Sequence, residues 1–220
     1  MCRRFAFLAF VQAAALFAFQ PDNAAIRKLF EDVLSRRIHE FGEADSRTAQ
    51  AARDLGMFLC RSGDTASAKR AMANAVRIDE IALGPKAQET LEDVWTLASI
   101  SPPAQAEPLL IRAAESPDPT VAGPALTSLA EIRKAAGDRA GAAQLLRRAV
   151  EKADSVEKDS VTVALTLSVL ADLVSPKEAI PLLKRALAID REKLGPQDPE
   201  TIRDAGRLEK ILRAIGPAAH

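Results

Sequence analysis

The chain has 220 residues, room for one large domain or two small ones with ample core. Ala and Leu supply much of its 48% hydrophobic content and aromatics only 4%, with no Tyr and one Trp, so strand formers are scarce and an all-α class follows. Its 30 basic residues balance 30 acidic ones, which leaves neither the basic surplus that nucleic acid calls for nor an acidic tail for a basic partner.

The first segment, "MCRRFAFLAFVQAAALFAFQ", differs from the rest. Arg3 and Arg4 precede an uncharged run from Phe5 to Phe19. That run is short for a bilayer-spanning helix of about 20 residues but fits the apolar core of a secretory signal. Residues 1–22 are therefore expected to be an export signal, with an uncleaved membrane anchor through residues 5–19 as the alternative. Small residues at Ala13–Ala15 or at Ala24 and Ala25 offer cleavage points. The mature protein would be periplasmic or secreted and would keep one cysteine, Cys60, so no internal disulfide could support its fold. Met57, Phe58 and Leu59 beside Cys60 favour a buried small hydrophobe over a reactive thiol.

Beyond residue 22 the pattern becomes periodic. Ala68, Ala106, Ala142 and Ala179 recur at intervals of 38, 36 and 37, and each is followed seven residues later by Ala75, Ala113, Ala149 or Ala186. Seven residues are two helical turns, so each pair marks one stripe where a neighbouring helix can approach closely. Met72, Leu110, Leu146 and Leu183 fill the adjoining space. A recurrence at this interval indicates stacked helical repeats. Long and short repeats alternate: "LGMFLCRSGDTASA" (Leu55–Ala68) matches "LAEIRKAAGDRAGA" (Leu129–Ala142), and "LASISPPAQA" (Leu97–Ala106) matches "LADLVSPKEA" (Leu170–Ala179).

The turns carry helix-breaking chemistry. Gly63-Asp64 and Gly137-Asp138 each offer a C-terminal glycine and then a cap. Ser175-Pro176-Lys177-Glu178 reads as a capping box with Pro at the first helical position, and Asp118-Pro119 and Asp198-Pro199 repeat that logic. Pro108 and Pro181 are expected in first turns, and Pro124 is expected to kink its helix or delay its start. Phe41-Gly42, Leu83-Gly84 and Leu194-Gly195 each close a helix, and Thr48, Thr90 and Thr201 follow those glycines by six residues. The expected order is a helix at 24–40, pairs at 46–62/65–82, 87–100/104–115, 119–136/139–154 and 158–174/177–193, and a last helix at 198–214. Arg203, Asp204, Arg207, Glu209, Lys210 and Arg213 suit a solvent-facing cap on that last helix. Residues 23–215 thus form one repeat domain, followed by a disordered tail at 216–220.

Ala179–Thr201 and Ala106-Glu107-Pro108-Leu109 resemble the tetratricopeptide repeat (TPR) family in its longer, kinesin-light-chain-like form. The resemblance covers roughly residues 24 to 215. It implies a right-handed superhelical stack of antiparallel helix pairs, a TPR-like solenoid. It also implies a concave surface, lined by the first helix of each pair, that holds peptides or partner helices. Carried over residue by residue, it places Gln50, Arg53, Met57 and Arg61 of the first pair towards that groove, and Thr127, Glu131 and Lys134 of the third pair on the matching stripe. Arg53 and Arg61 flanking Met57 could hold an acidic group or a C-terminal carboxylate, in which case replacing both arginines should leave the melting temperature nearly unchanged. The plain alternative is that all seven are ordinary exposed residues.

Catalytic signatures are missing: there is no G-x-S-x-G, Walker loop, H-E-x-x-H or C-x-x-C, and the two histidines are His39 and the terminal His220. A zinc site cannot be assembled from its His and Cys, and no cofactor or metal is expected. The sequence therefore reads as a non-catalytic protein–protein interaction scaffold, with a self-associating structural or regulatory module as the alternative. Its partner would be a protein or peptide, not nucleic acid, and it would meet a membrane only through an uncleaved N-terminal segment.

Overall fold

The computed structural model describes residues 23–215; the expected export signal at 1–22 and the tail at 216–220 lie outside the described residues. Among the described residues there are ten α-helices and no strand. None of these helices is long and apolar enough to cross a membrane. The chain divides into two compact units, Met1–Ala82 and Leu83–His220.

In the first unit α1 (Asn23–Phe41) packs on α2 (Ser46–Arg61), which packs on α3 (Thr65–Ala82). The rings of Phe30 and Phe58 stack with centroids 5.2 Å apart, joining α1 to α2. Arg27 reaches Asp64 in the α2–α3 turn at 3.2 Å. Asp45 caps α2 by accepting the Arg47 amide at 2.9 Å, and the Arg47 guanidinium lies 3.5 Å above the Phe41 ring centroid. The buried stripe of α2 comprises Thr48, Ala49, Ala51, Ala52, Leu55, Gly56 and Leu59. Cys60 lies off this stripe and is exposed, contrary to the expected buried position. A residue next to Leu59 is rotated about 100° from it, so apolar neighbours in sequence do not carry Cys60 into the core.

The second unit contains α4 (Gln88–Ser99), α5 (Pro103–Ala113), α6 (Pro119–Ala135), α7 (Arg139–Val156), α8 (Val161–Ala171), α9 (Pro176–Lys193) and α10 (Pro199–Ile215), each packed on the next. Its core runs through successive clusters, such as Ala130, Ala142, Leu146 and Leu170, then Val163, Leu167, Ala186 and Ile189. Across both units all eight recurring alanines are buried, and so are Met72, Leu110, Leu146 and Leu183 between them. The alanine stripes are the helix contacts.

Hydrogen bonds explain the turn signals. The Gly63 amide reaches the Cys60 carbonyl at 3.1 Å and the Asp64 amide reaches Leu59 at 3.0 Å; Gly137 and Asp138 repeat both bonds to Lys134 and Arg133. These are paired C-terminal closures that satisfy carbonyls left open at the helix end. Thr48, Thr90 and Thr201 each donate their hydroxyl to the carbonyl of the glycine six residues before, Gly42, Gly84 and Gly195, at 2.8, 2.9 and 2.9 Å. Those glycines have φ of +89°, +97° and +94°, a region that L side chains disfavour. The recurring spacing is thus a hydroxyl staple across each turn. Between α7 and α8 a different device appears. Arg185 of α9 bonds Asp154 at 2.6 Å and Asp159 at 2.7 Å, and Asp159 holds a positive φ of 54°.

Two prolines depart from expectation. Because α5 and α9 begin at Pro103 and Pro176, Pro108 and Pro181 fall in the second turn and not the first, and α6 likewise begins at Pro119. Pro is pre-organised for the first helical position, so each helix starts at its earlier proline. Pro124 lies inside α6, as expected from its place after Gly123, and does not delay the start of that helix. All three inner prolines are exposed, and none can donate to the carbonyl four residues before it. The last helix also differs from a purely polar cap. Asp204 is fully buried, and Arg207 turns inward to reach the Ser168 hydroxyl at 2.6 Å and Asp204 at 2.9 Å. Arg203, Glu209, Lys210 and Arg213 do remain exposed.

Candidate interaction surface

In the first unit Gln50, Met57 and Arg61 are exposed on one side of α2, with Met57 43% accessible. Arg53 is not a free member of that row. Its guanidinium lies 3.2 Å from Asp79 of α3, a carboxylate only 1% exposed. An isolated buried carboxylate is costly, so the first task of this arginine is charge compensation. The expectation that its loss would leave the melting temperature unchanged does not survive this geometry.

In the second unit Thr127 lies in a groove between α6, α7 and α8, about 570 Å³ in volume. Its walls include Pro124, Ala149, Ala153, Val156, Leu165 and Val169, with hydroxyls from Thr120, Thr127, Ser128, Ser160, Thr162 and Thr166 and the carboxylate of Glu157. The Thr127 hydroxyl bonds the Gly123 carbonyl at 3.1 Å, and that of Thr166 bonds the Thr162 carbonyl at 2.8 Å, so the polar atoms of both side chains are satisfied within their own helices. Val156 and Leu165 are 55% and 52% exposed, an unusual position for large apolar side chains. Glu131 and Lys134, further along α6, are not among the lining residues and pair with each other at 3.0 Å.

A second, smaller pocket of about 240 Å³ lies between α8, α9 and α10. Val161, Leu165, Ser168, Asp190, Leu194, Glu200, Arg203 and Asp204 line it, and Leu165 borders both spaces. Asp190 is 4% exposed. Burial pushes its carboxyl above the usual range, and Asp204, Glu200 and Asp198 add to that, while Arg203 opposes it. Sequence reasoning missed both spaces, because a groove is the gap between helices and leaves no motif. It also missed Asp190, although one signal was available: Asp79 and Asp190 each stand five residues before a turn glycine, Gly84 or Gly195.

No family model matches the chain, and no curated protein does. Solved structures do. A Podosopora anserina kinesin light chain with nearly identical TPR-like repeats superposes with a TM-score of 0.60 at 18% identity, over 82% of this chain and 93% of that one. A single-substitution form of the same protein gives 0.61 at 17% identity, over 83% and 93%. BtubC (BKLC) from P. vanneervenii gives 0.56 at 15% identity, over 94% of this chain and 81% of that one. Likeness at this identity establishes the fold: the chain is an all-α, TPR-like helical-repeat protein.

Proposed function

We propose that this TPR-like repeat protein is a non-catalytic, exported interaction scaffold that seats an apolar segment of a partner polypeptide in the groove between α6, α7 and α8. The observation that carries the reading is the lining of that groove. Its volume falls within the range of roughly 300–1,000 Å³ typical of ligand clefts, and its walls are largely apolar, with the Thr127 and Thr166 hydroxyls satisfied by their own helices and Glu157 as the one charged residue among them. Burying Leu165 and Val156 under a partner's side chains would release water from surface that is costly to expose, worth about 25 cal/mol per Å². The missing amide at Pro124 leaves the Thr120 carbonyl open, and Thr120 is at the groove wall, where a partner's main-chain N–H could reach it.

Peptides selected from a random library on the full chain should be rich in Leu, Phe or Val. They should bind Thr127→Trp, which fills the groove, at least tenfold more weakly, a loss of about 1.4 kcal/mol. Equal binding to the filled variant places the interaction elsewhere.

Export rests on Arg3 and Arg4 before the uncharged run of residues 5–19. N-terminal sequencing of protein made in its native host should begin between residues 16 and 26. Intact Met1 in a cytoplasmic fraction overturns it, and intact Met1 in a membrane fraction favours the anchored alternative.

A further inference from the structure

We infer that the pocket between α8, α9 and α10 receives an arginine side chain of a partner polypeptide, whose guanidinium pairs with Asp190. This goes beyond the groove reading, since it asks nothing of α6 or α7.

The argument starts from two aspartates in one register. Asp79 and Asp190 both precede a turn glycine by five residues, both follow a buried isoleucine (Ile78 or Ile189), and both are nine-tenths buried or more. For Asp79 the preceding helix of its pair, α2, supplies a guanidinium at 3.2 Å. For Asp190 the preceding helix is α8, "VTVALTLSVLA", which has no charged residue at all. The α8 residues that reach the pocket are Val161, Leu165 and Ser168. Ser168 is already committed, donating to Asp204 at 2.8 Å.

The other neighbours do not fill the gap. Arg203 is bonded to Ser168 and Asp204, each at 3.3 Å, and pairs with Glu200. Arg207 is held by Ser168, Asp204 and Asp172. The Asp190 carboxylate receives no hydrogen bond and no ion pair from the described residues, although its backbone carbonyl caps the helix end by accepting Leu194 and Gly195. A buried carboxylate with no partner is expensive, and it borders an open space whose remaining charges are acidic except for the occupied Arg203. Charge complementarity selects a cation. The planar fork of arginine fits a carboxylate better than the ammonium of lysine, and Val161, Leu165 and Leu194 suit the apolar stem of either.

The test uses the full chain and capped single residues. Titrating acetyl-arginine-amide should move the Asp190 side-chain carboxyl 13C resonance, assigned through its own backbone, to a plateau. Acetyl-citrulline-amide, the same shape without charge, should leave it unmoved, and acetyl-lysine-amide should need a higher concentration. In parallel, acetyl-arginine-amide should raise the melting temperature of the parent but not of Asp190→Asn. The measurement on the parent stands even if that variant folds poorly. An unmoved Asp190 resonance, an equal response to citrulline, or tighter lysine binding each overturns the assignment. Because these probes carry no apolar segment, the result is independent of whether the α6–α8 groove is used.

Discussion

The Arg53 guanidinium lies 3.2 Å from Asp79, so an exposed face of α2 and the buried side of α3 are joined by one ion pair. Removing the arginine alone leaves a carboxylate that is 1% exposed to find other compensation. Arg53→Ala should therefore lose on the order of 3 kcal/mol in urea denaturation, and Asp79→Asn in the same chain should restore much of it. A loss below about 1 kcal/mol, the level of exposed pairs, would sink the compensation role.

Gly56 is a packing glycine. A Cβ added there would come within 2.7 Å of Met72 Sδ and 2.9 Å of Met72 Cγ, and Met72 is itself buried. Gly56→Ala should cost roughly 1–3 kcal/mol, and shortening the obstacle with Met72→Ala should make the two changes non-additive. Strict additivity in thermal melts would show that Met72 is not what the new methyl meets.

The hydroxyl staple predicts a second kind of glycine effect. Nothing lies within 4 Å of a Cβ at Gly195, so Gly195→Ala meets no clash and should cost about 1–2 kcal/mol through its positive φ alone. Thr201→Val keeps the shape but leaves the Gly195 carbonyl without its hydroxyl, for roughly 1–3 kcal/mol. Chemical denaturation of both variants checks this. A Thr201→Val chain as stable as the parent would reduce the staple to a bystander.

Asp45 supplies a pH signature. The Arg47 side chain, and then its amide, hold the Asp45 carboxyl down at about 2, below the ordinary aspartate value of about 3.9. A carboxyl depressed on folding stabilises the folded state above its unfolded value and loses that contribution as pH falls through its folded value. The gap in melting temperature between the parent and Asp45→Asn should be full above pH 5, shrink below pH 4 and close near pH 2. A gap that stays constant over that range would remove Asp45 from the acid response.

Much of the fold could be read because its contacts are written in small residues. An alanine that lets another helix approach cannot be replaced freely, so Ala68 to Ala186 leave a periodic mark, and every one of the eight is buried. The Gly–Thr spacing was equally legible, since one φ and one hydrogen bond fix both residues. Charges were not. Asp79 and Asp204 look like any polar residue on an amphipathic helix, yet both are buried, and only their partners explain why: Arg53 for Asp79, and Ser168, Arg203 and Arg207 for Asp204. Of the seven candidate contact residues, Thr127 lies in a groove, Gln50, Met57 and Arg61 are exposed on α2, Glu131 and Lys134 pair with each other, and Arg53 is engaged with Asp79. That division depends on three-dimensional pairing, which periodicity does not encode.

The clamp of Arg185 on Asp154 and Asp159 makes one seam of the second unit responsive to ionic strength. The turns before α4 and α10 are fastened by neutral hydroxyl–carbonyl bonds, which salt barely touches. The link between α7 and α8 relies on three charges that are 26% to 44% exposed, and at 1 M salt the screening length falls to about 3 Å. Hydrogen exchange at residues 157–161 should therefore quicken with added salt while the amides around Gly84 and Gly195 hold steady. If all three regions respond alike, the seam has no ionic character of its own. If they do not, dissolved salt tunes how firmly the charge-free helix α8 is held at its leading end, on top of the apolar packing of Val163 and Ala164.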